Sequence, residues 1–306
     1  MLYSIKRQLL PVLNALGPLV ILLGIAMLLP LAIGYREAES TVNDFALSSL
    51  ICLSSGTFLW LLTRRFRREL EMRDGFLLVT LCWLCIALFS SIPLVLLLPG
   101  ISYHRIFFET VSCLTTTGAT ALTGLEHLPL SINYWRCLLS WMGGMGIIVF
   151  AVAILPLLGV GGTQIFKAES TNLFKDTKLT PRIADTAKAL YSIYFVGSLC
   201  CAIAYRWAGM TWDDAFLFSF TTLSLSGIAP YDQSIGVFNS WPIEMVAVIF
   251  FIFSGFSFSL HFTAWRQRSI LSYFTDIEAR AWILIISFGT ALVFSILTIQ
   301  QVYPTW

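Results

Sequence analysis

The chain has 306 residues, 57% of them hydrophobic and 12% charged, and a net charge of +2. Its mean hydropathy of +0.80 lies outside the range of a water-soluble domain of this length and marks a multi-pass integral membrane protein. The long apolar segments are almost free of ionisable side chains, and no paired acids or nucleophile motif occur, so an enzyme is not expected and a passive path through the membrane is.

A helix needs roughly 20 apolar residues to cross the hydrocarbon core. On that length the chain is expected to cross at 13–33, 43–62, 75–98, 132–158, 187–208, 241–264 and 280–300, seven spans in all. No small-residue cleavage site follows the first apolar stretch, which is read as a retained span. Cys82 and Cys85 in the third span, and Cys200 and Cys201 in the fifth, lie among apolar neighbours and read as small packing residues rather than ligands. His104, His127 and His261 have no ligand spacing. Gly143, Gly144 and Gly146, in the middle of the fourth span, read first as sites of close helix packing. The run Gly159–Thr163, GVGGT, follows an apolar helix rather than a strand and lacks the lysine of a phosphate loop, so no nucleotide site is assigned to it.

The linkers orient the chain. Lys6 and Arg7, the arginines at 64, 65, 67, 68 and 73, the basic residues Lys167, Lys175, Lys178, Arg182 and Lys188, and Arg266, Arg268 and Arg280 all fall on alternate linkers. Together they are 15 of the 19 lysines and arginines. Positive residues accumulate on the cytoplasmic side, so the amino terminus is expected there. Membrane lipid is the expected surrounding, and nucleic acid is not expected as a partner.

Between the third and fourth spans, Leu114–Thr120 reads LTTTGAT, and between the fifth and sixth, Leu223–Ala229 reads LSLSGIA. Each follows a short aromatic stretch, 103–114 and 211–223, long enough for half a crossing only. Thr211 is placed to cap the second stretch, with Asp213 and Asp214 in its first turn. A hydroxyl-rich loop cannot satisfy its backbone in lipid, and is tolerated at membrane depth only where protein or water surrounds it. Aligning Gly118 with Gly227 sets Thr115 opposite Ser224, Thr117 opposite Ser226 and Phe108 opposite Leu217. The repeat divides the chain into a two-helix amino-terminal extension at 1–70, a first pore unit at 71–165, a second with its cytoplasmic linker at 166–270, and the opening helix of an incomplete third at 271–306. The fold class is all-α integral membrane, of repeated helix, pore-helix, filter-loop, helix units, with seven spans and two re-entrant pore helices.

A dehydrated cation needs oxygens in place of its water, and backbone carbonyls with threonine and serine hydroxyls supply them. Thr115, Thr116, Thr117 and Gly118, with Ser224, Leu225, Ser226 and Gly227, are therefore the candidate ion-lining residues, each loop standing at the negative end of a short helix. Polar turns in water outside the membrane are the competing reading of either loop taken singly. Glu109, in the first short helix, is read as a support that accepts hydrogen bonds from the loop's amides, ahead of direct contact with an ion.

The run WRCLLSWMGGMGIIVFAVAILPLLGVGG from Trp135 to Gly162, KAES and KLTPRIADTAKAL after it, SGFSFSLHF at Ser254 to Phe262 and the two glycine loops resemble the membrane subunit of bacterial Trk-type potassium uptake systems, within the wider Trk/Ktr/HKT superfamily. The resemblance covers essentially the whole chain. It implies four units around one pseudo-fourfold pore, filter glycines at Gly118 and Gly227, K⁺ as the transported ion without an organic cofactor, a homodimer in the inner membrane and a cytosolic nucleotide-binding regulatory subunit. Such a subunit, or anionic lipid, would meet the basic linker from Lys167 to Lys188. Two departures stand out. Ser226 precedes Gly227 where the family leads one to expect a glycine pair, and two of the four units are not in this chain, so the alternative expectation is a non-conducting fragment or half-pore that needs a second chain.

Overall fold

The structure, a computed structural model, describes residues 2–66, 72–149 and 179–301, with side chains over 9–66, 74–146 and 187–301. Its regular elements are all helices among the described residues. The glycine run at 159–163 and the basic linker residues Lys167, Lys175 and Lys178 lie outside them.

Helices α1 (Leu2–Ala26) and α2 (Leu28–Arg36) make one long, interrupted crossing, and α3 (Val42–Thr63) returns beside it. Lipid tails are as apolar as leucine, so helices in a membrane are held by close backbone approach and polar contacts more than by apolar burial. The α1–α3 pair uses both. A Cβ on Gly56 would stand 2.9 Å from the Gly17 carbonyl oxygen, the Ser49 hydroxyl donates to the Gly24 carbonyl at 2.8 Å, and the Asn14 amide donates to Thr63 Oγ1 at 3.2 Å.

Helix α4 (Met72–Leu97) is followed by α5 (Tyr103–Leu114) and α6 (Leu130–Val149), and the pattern repeats as α7 (Leu179–Trp207), α8 (Trp212–Leu223) and α9 (Trp241–Gly255). Both α5 and α8 have 12 residues. At 1.5 Å per residue each reaches roughly 18 Å, too short for a core of about 30 Å. Each enters and stops. The exposed rings of Tyr35, Tyr103, Trp207, Trp212 and Trp241 lie at the helix ends from which α5 and α8 enter, and those of Trp60 and Trp265 lie towards the opposite ends. This is the distribution of interfacial aromatic belts.

The sixth expected span is corrected. Residues 241–264 do not form one helix: α9 ends at Gly255 and α10 (Phe258–Gln267) leaves at 89°. Phe256 and Ser257 are extended between them, and the His261 ring stacks on Phe253 with centroids 4.0 Å apart while bonding its carbonyl at 3.0 Å. That carbonyl also accepts from the Phe256 amide at 3.2 Å, so the histidine adds a second bond at the end of α9. The chain continues as α11 (Leu271–Thr275) and α12 (Ile277–Ile299), which Asp276 caps by accepting from the Ala279 amide at 2.8 Å. Against the seven spans expected, five helices among the described residues are long and apolar enough to cross, six with the bent pair; the span expected at 132–158 is described only as far as Val149.

Candidate functional site

The two short helices end in the same way. After α5, the amide of Thr116 donates to the Cys113 carbonyl at 3.1 Å and that of Thr117 to Ser112 at 2.9 Å; after α8, Leu225 donates to Thr222 at 3.2 Å and Ser226 to Thr221 at 3.1 Å. Paired bonds of this kind define a Schellman cap, whose turning residue has positive φ and is usually glycine. Here it is Thr116 at φ 55° and Leu225 at φ 53°. Positive φ is a genuine outlier for a β-branched residue, and such strain collects at sites of function. Two residues on, Gly118 at 81° and Gly227 at 72° are positive again. This alternation of φ sign departs from a strand, in which every φ is negative and successive residues turn to opposite faces.

The loops meet. A Cβ on Gly118 would overlap the Ser226 carbonyl oxygen, and one on Gly227 would stand 3.9 Å from the Gly118 Cα. Helix α6 passes behind both. A side chain at Gly143 would overlap the Leu114 carbonyl, at the end of α5, and one at Gly144 would stand 3.0 Å from the Ser224 Cβ, at the end of α8. Gly143 and Gly144 are thus close-packing residues, and what they pack against is the pair of loops; Gly146, expected to do the same, has open space where its Cβ would be.

Unlike ties hold the two loops. Glu109 and Arg136 are both 0% exposed, with Arg136 Nη2 2.7 Å from Glu109 Oε1. The same carboxylate accepts from the Ala121 amide at 2.7 Å and from the Thr120 hydroxyl at 2.9 Å. A charge pair shut away from water persists only when both members are paired and hydrogen-bonded, as these are. Phe218 occupies the corresponding position of α8, stacked on Tyr231 with centroids 6.3 Å apart and edge-on to Phe238 at 5.5 Å.

Polar contacts at the rim from which α5 and α8 enter join the units. Asp232 accepts from the Gly124 amide at 2.8 Å and the Leu125 amide at 3.1 Å, and those amides, Leu125 first, hold its carboxyl below its ordinary value. Burial, with the hydrogen bond to Asp214, pushes the Tyr231 phenol up to about 12. Arg36 bonds Asp213 at 2.8 Å, and the Tyr134 hydroxyl donates to the same carboxylate at 2.7 Å. Glu39, from the turn before α3, accepts from the Leu130 amide at 2.6 Å and so caps α6.

The eight residues singled out lie in two loops that touch at Gly118 with Ser226 and Gly227, but their side chains are not equivalent. Thr115 and Thr117 are exposed and share a hydrogen bond of 2.7 Å. Ser224 and Ser226 are buried, the first hydroxyl turned back to the Thr221 carbonyl and the second accepting from the Ile228 amide, while the Leu225 side chain is exposed. The second loop thus presents chiefly backbone. Arg136 is the residue sequence reasoning missed: it stands in the first turns of α6 and is one of the four basic residues outside the alternate basic linkers. Its signal was its position within an apolar stretch, 27 residues after an equally isolated Glu109.

The fold and the paired loops define a helical membrane protein built of repeated helix, re-entrant pore-helix, loop, helix units. The TrkH family profile, described as a cation transport protein, matches residues 42–303, and the chain belongs to that family. It is 45% identical over 277 residues to the Trk system potassium uptake protein TrkH of Halomonas elongata, covering 90% of this chain and 58% of the relative. It is 42% identical over 270 residues to TrkH of Escherichia coli K12, covering 87% and 56%. The crystal structure of the potassium transporter TrkH from Vibrio parahaemolyticus superposes with a TM-score of 0.87 at 38% identity, over 97% of this chain and 61% of that one. The chain therefore spans somewhat over half the length of these relatives.

Proposed function

We propose that this chain contributes to potassium uptake across the bacterial inner membrane, with Thr115, Thr116, Thr117 and Gly118 of the first loop and Ser224, Leu225, Ser226 and Gly227 of the second lining the ion path. The observation that carries this reading is the matched backbone of the two loops: the same Schellman cap, the same alternation of positive φ, and contact between them at Gly118 and Ser226. A polar turn in water has no need of a strained threonine and a strained leucine at equivalent places. Family membership and the potassium uptake relatives support K⁺ as the ion. The first unit adds the Thr115 and Thr117 hydroxyls, and the second adds carbonyls.

The basic linkers favour a cytoplasmic amino terminus, which opens both loops to the outside. Association as a homodimer, and with a cytosolic nucleotide-binding subunit at the cytoplasmic face, follows from the same reading. The test is growth on low potassium of a strain lacking its own uptake systems. The wild-type chain supports growth, and Gly118→Ala, which adds a Cβ onto the Ser226 carbonyl at a φ of 81°, abolishes it. Normal growth of that variant overturns the assignment.

A further inference from the structure

We propose that Arg136 is a positioning residue shared by the two loops, setting their spacing and through it the choice between cations. The effect on cation choice rests on the reading of the loops as filters; the positioning does not. A guanidinium is a planar fork of five donors. In Arg136 every nitrogen is engaged. Nε bonds Glu109 Oε1 at 2.8 Å, Nη2 lies 2.7 Å from the same oxygen and 3.4 Å from Thr120 Oγ1, and Nη1 donates to Asn133 Oδ1 and to the Ala229 carbonyl, both at 3.0 Å. Glu109 and Thr120 belong to the first loop's surroundings, and Ala229 is the last residue of the second loop.

Asn133, one turn earlier on the same face of α6, repeats the bridge with its amide, at 2.8 Å from the Leu125 carbonyl of the first unit and 3.5 Å from the Pro230 carbonyl of the second. From the second unit the Asp232 carboxylate reaches back to the Gly124 and Leu125 amides, but that tie is at the exposed rim, beyond the first loop, and among the described residues the second unit supplies no buried counterpart of Arg136. Helix α9, the counterpart of α6, carries no basic residue, and Phe218 stands where the first unit has Glu109. The geometry therefore makes one fully buried cation in the first unit responsible for the register of both loops. A lysine keeps the charge but not the fork, and cannot reach Glu109, Asn133 and Ala229 together.

Hydrogen exchange read by mass spectrometry on the purified chain in lipid nanodiscs tests the positioning, because it needs no transport. Arg136→Lys and Arg136→Gln speed amide exchange in both 118–122 and 227–231 by about tenfold to a hundredfold, the factor expected of one charge-assisted hydrogen bond. Glu109→Gln speeds it in 118–122 alone. Wild-type exchange at 227–231 in the arginine variants would confine Arg136 to the first loop, and a uniform rise that includes α1 and α3 would make it a folding residue only; either overturns the proposal. Should Arg136→Gln fail to fold, Arg136→Lys decides.

Uptake supplies the second readout. Arg136→Lys lowers the K⁺ over Na⁺ uptake ratio by about tenfold or more at an unchanged amount of protein in the membrane, on the same accounting for one lost bond. A purely structural role would lower uptake of both ions together. A wild-type chain silent in uptake counts against the potassium reading while leaving the exchange experiment to decide the role of Arg136.

Discussion

The Cα of Gly143 rests against the carbonyl oxygen of Leu114, the last residue of α5, so closely that a Cβ there would overlap it. The obstructing atom is backbone, held by the helix on one side and the Schellman cap on the other, and cannot move aside as a side-chain tip would. Helix α6 is thereby locked against the end of the first short helix, with Gly144 locked against the second.

Gly143→Ala is therefore expected to separate α6 from α5, destabilising the protein by about 1–3 kcal/mol as an overpacked contact does. Gly146, one turn further along α6, meets nothing within 4 Å of a built Cβ, and its replacement by alanine is expected to be neutral or mildly stabilising. Thermal unfolding of the two variants in detergent, followed by size-exclusion fluorescence, distinguishes them. Equal midpoints would mean that the contact contributes nothing.

The amino ends of the two short helices differ although their carboxyl ends match. Thr211 Oγ1 accepts from the Asp214 amide at 3.2 Å and donates to its carboxylate at 2.7 Å, whereas Ser102 makes no cap bond to α5. Thr211→Ala is expected to cost about 1 kcal/mol, the usual loss for a capping hydroxyl, and Ser102→Ala a small fraction of that. Amide exchange in the first turns of α8 and α5 reads each loss locally.

Asp232 carries a pH dependence with a defined sign. Its carboxyl titrates below the ordinary 3.8 because the Leu125 and Gly124 amides donate to the ionised form. A depressed folded-state pKa stabilises the fold above the unfolded value, and that contribution disappears as pH falls through the folded one. Protection of the Gly124 and Leu125 amides should thus stay flat from neutral pH down to the ordinary carboxyl value and fall below it. Asp232→Asn should remove this acid-dependent step, and an unchanged step would assign it to another group.

Much of the architecture was legible because it depends on residues near one another in the chain. Span lengths follow from runs of apolar residues. The capping of α8 followed from Thr211 and the two acids after it, and the pairing of Gly118 with Gly227 predicted a shared backbone that the φ angles of Thr116 and Leu225 bear out. The break between α9 and α10 was not legible: Ser254–Phe262 carries no proline and no charged residue, its serines and glycine are tolerated in membrane helices, and the bend is held by His261 reaching back to Phe253.

The sequence by itself determined the membrane class, the two-unit repeat and the residues of the loops, since hydropathy, loop composition and local capping are properties of short segments. Only the tertiary structure decided how the loops are held together. Gly143 and Leu114 touch across 29 positions, and Arg136 and Ala229 across 93, and no local pattern records which distant carbonyl a buried guanidinium will meet. In a medium where an unpaired polar group is costly, those long-range pairings were forced by the fold and became visible only in it.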